Sequence, residues 1–155
     1  MTDMTATTFR QDFSDFCAQR DAQNTIQLNV VKWTYMLCDA LRQNYIDYSI
    51  RSHSLRTEDV EYHNACIQDL KNGICDYDFY FESGKKYHKI IMKTGDNQRS
   101  VHAFVDKKTG EVYKSASWKA PAQGVRYDLR LIADREYLLE NADLSGGYLY
   151  AKWVT

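Results

Sequence analysis

The chain has 155 residues, 44% hydrophobic and 14% aromatic, with twelve tyrosines, one proline and a net charge of −1. This length fits one domain with a substantial core, and this composition is globular and excludes a disordered chain. No run approaches the ~18 apolar residues of a membrane helix, and a near-neutral total excludes a uniformly charged binder of polyanions.

The opening, MTDMTATTF, has neither a basic run nor an apolar core, so no secretory leader is expected. Residues 1–6 are expected to fray, and Thr8 with Gln11 matches a capping box that starts a helix. Phe9, Phe13, Phe16 and Cys17 fall at i, i+4, i+7 and i+8, which predicts a buried helix face. Asn24 or Thr25 can cap a second, longer helix. In it Ile26, Val30, Trp33, Leu37, Leu41 and Tyr45 recur at helical spacing, and Val31, Cys38 and Tyr48 widen the stripe. A stripe that wide predicts a central helix buried from two sides. The pattern fades over residues 49–54, where Ser52 and Ser54 suit a turn. Thr57 opens a third helix, with Glu58 and Asp59 placed where the helix dipole favours negative charge. Val60, His63, Ile67, Leu70 and Ile74 form its apolar face, and Gly73 is its expected stop.

The period then changes to two. Tyr77, Phe79 and Phe81 alternate with Asp78, Tyr80 and Glu82, as in a strand. Gly84-Lys85 suits the centre of a type II′ turn, which sets Phe81 opposite His88, Phe79 opposite Ile90 and Tyr77 opposite Met92. Gly95-Asp96-Asn97 is the next turn. Val101, Ala103 and Val105 alternate with His102 and Phe104, and Lys107-Lys108-Thr109-Gly110 makes a four-residue loop ending on a left-handed glycine. Val105 then faces Val112, Ala103 faces Lys114 and Phe104 faces Tyr113. One face is aliphatic, and the other is expected to carry His102, Phe104, Tyr113, Ser115 and Ser117. Residues 118–121 leave the ladder, because Pro121 has no N–H to give. Residues 122–131 show no period. Residues 134–141 suit a short helix that Gly146-Gly147 breaks, and residues 148–153 read as a final strand or docked tail.

The expected fold is α+β: about three N-terminal helices on a four-stranded antiparallel sheet, followed by a short C-terminal helix and a docked tail. All of it forms one domain over 1–155, helical over about 8–74, a β-meander over about 76–117, and C-terminal helix and tail over about 118–155. The central helix should fill the aliphatic face made by Val101, Ala103, Val105 and Val112.

The segment VHAFVDKKTGEVYKSASWKAPAQGVRYDL resembles one found in small uncharacterised accessory proteins of tailed phages. The likeness covers roughly the middle third of the chain and lies in TGEVYK, then ASWKAPA, then VRYDL. It implies a setting, a non-virion protein made inside an infected bacterium, and it carries no catalytic residue with it.

Charge is unevenly spread. Residues 84–119 hold nine basic residues against three acidic ones, a local balance of +6, whereas residues 53–82 lean acidic. Interleaved aromatics make this stretch a candidate surface for phosphates and bases. The candidate residues are Lys85, Lys86, Lys89, Arg99, His102, Lys107, Lys108, Tyr113, Lys114, Trp118 and Lys119. The plainer reading is a solvated lysine rim that discourages edge pairing. His88 and His102, on adjacent strands, could meet and hold a phosphate; the plainer reading is a pair of partly exposed strand histidines.

Other chemistry is sparse. His63, Cys66 and Cys75, with His53, offer soft ligands but no paired CxxC, so no metal is expected and the four cysteines read as reduced core residues. There is no GxSxG, SxxK, Walker A or GxGxxG pattern. Asp134, Glu136 and Glu140 fit a helix surface. No cofactor is expected, and the reading leans away from an enzyme. The expectation is a small cytoplasmic phage-type binding protein that contacts nucleic acid or nucleotide through basic hairpins. The alternative is a protein–protein module that modulates a host or phage enzyme, with an enzyme third; no membrane partner is expected, and the oligomeric state is not written in the sequence.

Overall fold

Residues 2–150 are described by the structure, a computed structural model, with side-chain environments given from residue 12 onward. Helix α1 runs unbroken over Thr2–Ser54. The two helices expected from residues 8 and 24 are one, because residues 18–24, AQRDAQN, hold no glycine or proline to stop it. Thr8 already lies inside the helix. Thr25 turns its hydroxyl back to the Asp21 carbonyl at 3.0 Å instead of capping a new start. The helix also continues through residues 49–54, where a turn was expected.

The central stripe is as its spacing requires. Val30, Leu37, Cys38 and Leu41 are buried, as is Thr34, while Ile26, Trp33 and Tyr45 pack against them. The first apolar face is different. Phe13 is 62% exposed and Phe16 58%. Between residues 12 and 25 only Cys17 is even half-covered. Periodicity places these rings on one side of the helix, but the body of the molecule ends near Ile26 and the helix projects past it.

Helix α2, Val60–Lys71, packs on α1. It starts after Asp59, which adopts a left-handed conformation, and not at Thr57. Only Leu70 of its apolar face is fully buried, and Val60 and Ile74 are exposed. Gly73 does stop it. With φ at +81°, its N–H reaches the Leu70 carbonyl, and the N–H of Ile74 reaches that of Asp69 at 2.9 Å, which closes a Schellman motif.

The sheet has five antiparallel strands in sequence order: β1 Asp78–Ser83, β2 Tyr87–Lys93, β3 Arg99–Asp106, β4 Glu111–Lys114 and β5 Tyr127–Asp128. The β3–β4 register is the expected one, and Gly110 takes φ of +75°. The β1–β2 register is displaced by two residues. Ser83, and not Phe81, faces His88, and Phe81 faces Ile90. Lys85-Lys86 occupies the tip, with the Gly84 N–H bonded to the Tyr87 carbonyl at 2.9 Å. A slip of two leaves every side chain on its expected face.

β5 was not anticipated, since two residues carry no period. It pairs through Tyr127 with Val112 and through Asp128 with Glu111. Between β4 and β5 the chain loops out over residues 116–120 and rejoins at the Ser115–Pro121 bridge. Helix α3, Ile132–Asn141, buries Leu138, and a 3₁₀ turn, Gly147–Leu149, buries Leu149. The tail therefore docks as a turn; the part of the expected strand at residues 151–153 lies outside the described residues.

Phe79, Ile90, Ala103, Val105 and Val112 form the sheet's inner face and pack on α1. Arg42 of α1 fastens the β1 end of the sheet by donating to the Asp78 carboxylate and, at 3.0 Å, to the Phe79 carbonyl. Among the described residues no helix is long and apolar enough to cross a membrane.

Candidate nucleic-acid interface

Two hairpin tips meet at one end of the sheet. The Lys107 N–H donates to the Lys86 carbonyl at 2.9 Å, and its ammonium donates to the Gly84 carbonyl at 3.0 Å. Lys85, Lys86, Lys107 and Lys108 are thereby gathered around a recess of about 390 Å³, which Gln27 of α1 also lines. Asp106 sets the second tip. Its buried carboxylate accepts the N–H groups of Lys108 at 2.9 Å and Thr109 at 3.1 Å, an Asx-type turn that fixes the loop.

The outer face of the sheet carries the rings. Tyr87 meets Phe104 edge-on at 5.6 Å and Tyr113 at 6.0 Å. Cations lie over this surface: Lys86 over Tyr87 at 5.3 Å, Lys89 over Trp118 at 4.7 Å, and Arg99 over Trp118 at 5.2 Å and Tyr80 at 5.9 Å. Arg99 is also paired with Glu82 at 2.9 Å. Lys85, Lys86, Lys89 and Lys119 rim a second recess of about 300 Å³, with Tyr87 and Phe104 among its lining. Trp118 is 42% exposed at the tip of the 116–120 loop. Phe104 is buried and Tyr87 and Tyr113 are half-buried, so their rings form a floor. Burial, and then Glu111, raises the Tyr113 phenol above its ordinary range, so it stays protonated.

Nine of the eleven expected residues therefore lie on the outer face or at the tips. His102 and Lys114 do not. Ile90 pairs with Ala103 but Ile91 pairs with Val101, so His102 is the extra residue of a bulge. The bulge turns His102 from the outer face, where it was expected, toward the inner one. There its ring stands edge-on to Phe79 at 5.9 Å, and its Nε2 hydrogen-bonds the Tyr148 hydroxyl at 2.6 Å. Burial holds this imidazole down to about 4, with Asp143 opposing, so it is neutral at ordinary pH and cannot bind phosphate as a cation. Lys114 shares the inner-face register with Ala103, and its ammonium lies over the Tyr150 ring at 4.8 Å. His88 is also inward, opposite Val105 and 2% exposed, with Nδ1 against the Ser83 hydroxyl at 2.8 Å. Burial, and secondarily Lys107, lowers its basicity. The two strand histidines thus form no phosphate site on the basic face.

The candidate metal ligands are only partly brought together. His53 and His63 join α1 to α2 through their Nδ1 atoms at 2.8 Å, while Cys75 donates its thiol to the Tyr77 carbonyl at 3.2 Å. Among the described residues, no group of three His, Cys, Asp or Glu side chains is placed to hold a metal ion. The four cysteines are free. Burial pushes the Cys38 thiol up to about 12.

Gln27 and Glu82 belong to this surface but were not singled out, whereas Tyr80 was among the expected interleaved rings. Tyr80 and Glu82 sit on the outward alternation of β1 and were readable from it; nothing local in α1 announces that Gln27 reaches the lysine tips. A family profile described as "Family of unknown function (DUF7717)" matches residues 13–151. No curated protein and no solved structure matches the chain.

Proposed function

We propose, for a chain that belongs to the DUF7717 family of unknown function, that the outer face of the sheet contacts nucleic acid or nucleotide. The observation that carries this reading is the joining of the two lysine tips by the Lys107–Lys86 and Lys107–Gly84 bonds, next to a floor of rings. Ammonium groups at the rim suit phosphates, and rings at the floor suit bases, whose flat faces stack without regard to sequence. Following the likeness of residues 101–129 to tailed-phage proteins, we place this activity in an accessory protein in the cytoplasm of an infected bacterium.

The test is a variant with Lys85, Lys86, Lys107 and Lys108 all changed to alanine. It should weaken oligonucleotide binding and flatten its salt dependence. Trp118→Ala should weaken binding by roughly 1–3 kcal/mol if a base stacks on the ring. Circular dichroism of both variants separates lost binding from lost fold. If the wild type binds neither single-stranded nor duplex oligonucleotides at low salt, the reading fails.

A second reading rests on the projecting arm of α1. Phe13 and Phe16 are exposed there on one side, which suits a protein partner. Pull-down from infected-cell lysate with and without nuclease distinguishes the two, because a protein partner survives nuclease.

A further inference from the structure

Helix α1 carries a second apolar line that the body leaves open. Phe13 is 62% exposed, Leu28 71% and Tyr35 59%, and Cys17 and Val31 are only half-covered. Together with Asn24 these residues are spaced by three, four or seven, so they fall along one side of the helix. The line is about 33 Å long and lies roughly a third of a turn round from the core stripe of Val30, Leu37 and Leu41. Its N-terminal half belongs to the projecting arm. A helix of that length alone in water is marginal, so a second helix laid on it would stabilise it.

The line is close to a palindrome. Asn24 stands at its centre, with Phe13 and Tyr35 eleven residues either side, Cys17 and Val31 seven, and Arg20 and Leu28 four. A line that reads alike in both directions matches an antiparallel copy of itself across a twofold axis. Ring then meets ring at both ends, Cys17 meets Val31, and the aliphatic stem of Arg20 covers Leu28. The Asn24 amide, which both donates and accepts, meets its own copy on the axis, where one polar pair fixes the register.

Charge favours the same orientation. Residues 12–25 hold Asp12, Asp15 and Asp21 against Arg20 alone. The four tip lysines stand beside Gln27, where the arm leaves the body. An antiparallel copy lays its acidic arm past this basic end. A parallel copy would set Arg20 against Arg20 and bring the two sets of tip lysines level.

We propose that the arm of α1 pairs with the same arm of a second copy, antiparallel, on a twofold axis at Asn24. The proposal rests on the reading of the arm as a protein-binding surface and names its partner.

The experiment is sedimentation velocity of the full chain from micromolar to millimolar concentration. A concentration-dependent dimer is expected. Phe13→Glu and Leu28→Glu should each raise its dissociation constant about tenfold or more, since each puts two carboxylates into the seam. Both side chains are exposed in the single copy, so the melting temperature in dilute solution should not change. Orientation is read by mild oxidation and peptide mapping. Asn24→Cys should give a covalent dimer through the introduced thiol. The wild type should not join Cys17 to Cys17, which antiparallel pairing holds about 21 Å apart along the helix. A monomer at every concentration, a dimer indifferent to both glutamates, or a Cys17–Cys17 link would each overturn the proposal. A monomer whose glutamate variants lose a protein captured from lysate would overturn it while leaving the arm as a surface for another partner, so the two readings fail separately.

Discussion

Gly110→Val tests the joint between the β3–β4 loop and the core. Gly110 has φ of +75°, and its N–H closes the loop on the Asp106 carbonyl at 2.9 Å. A side chain in that left-handed conformation costs about 1–2 kcal/mol. The site is also tight. A Cβ would stand 3.3 Å from Cγ2 of Val30 and 3.4 Å from Cβ of Leu129, both fully buried. Neither neighbour is the loose end of a long chain, so the extra methyls of valine add crowding of about 1–3 kcal/mol. The sum is about 2–5 kcal/mol. For a chain of this size, each kcal/mol lowers the melting temperature by about 2–4 °C, so a drop of at least about 4 °C is expected. Urea denaturation followed by circular dichroism should show a lower midpoint with the slope unchanged. Gly110→Ala carries the backbone strain and the Cβ contacts with Val30 and Leu129 but not the crowding of the two further methyls, so it should fall between wild type and valine. A valine variant as stable as wild type would refute the left-handed loop. Equal losses for alanine and valine would refute the crowding assigned to valine's two extra methyls.

The remaining predictions concern thiols and protons. All four cysteines should titrate after unfolding, with no stoichiometric zinc in the purified protein; one zinc per chain would instead make ligands of His63 and Cys66. In the native state Cys38 should react slowest with thiol reagents, because burial holds its thiol near 12. For His102 the folded value of about 4 lies below the ordinary 6.5. The unfolded chain therefore binds the extra proton first as pH falls, and stability should decline between about pH 6.5 and 4, at about 1.4 kcal/mol per pH unit once the unfolded imidazole is charged. His102→Gln should flatten this dependence, and a wild-type profile that is level across the window would contradict the burial of the ring.

The parts legible in the sequence were those fixed by neighbours close in the chain. The β3–β4 register follows from alternation and one glycine within about a dozen residues. The stripe from Val30 to Leu41 follows from helical spacing. What was lost depended on distant partners. Ile90 and Ile91 are both apolar and both fully buried, so alternation gave no warning of the bulge that turns His102 inward. The tip at Lys85-Lys86 is held by Lys107 of another hairpin, which no local turn rule contains. Phe13 and Phe16 show which side of α1 is apolar, but not that the body stops short of them. Of the candidate surface, the lysine tips and ring floor were readable, and the approach of Gln27 to the lysine tips was not, because it comes from a helix about sixty residues earlier in the chain.

The order of the strands also governs how the chain can assemble. Every strand pairs with the one that follows it in sequence, so the first three pairings close only short loops at little entropic cost, and such topologies favour rapid folding. The meander can grow one hairpin at a time as it leaves the ribosome. The N-terminal helix is in a different position. Its Asn44 side chain accepts the N–H of Leu144, a bond across 100 residues. At a synthesis rate of about 5–20 residues per second, that half of the helix must wait about 5–20 s for the segment that completes its packing, and until then its buried stripe is covered only as far as the emerging sheet reaches.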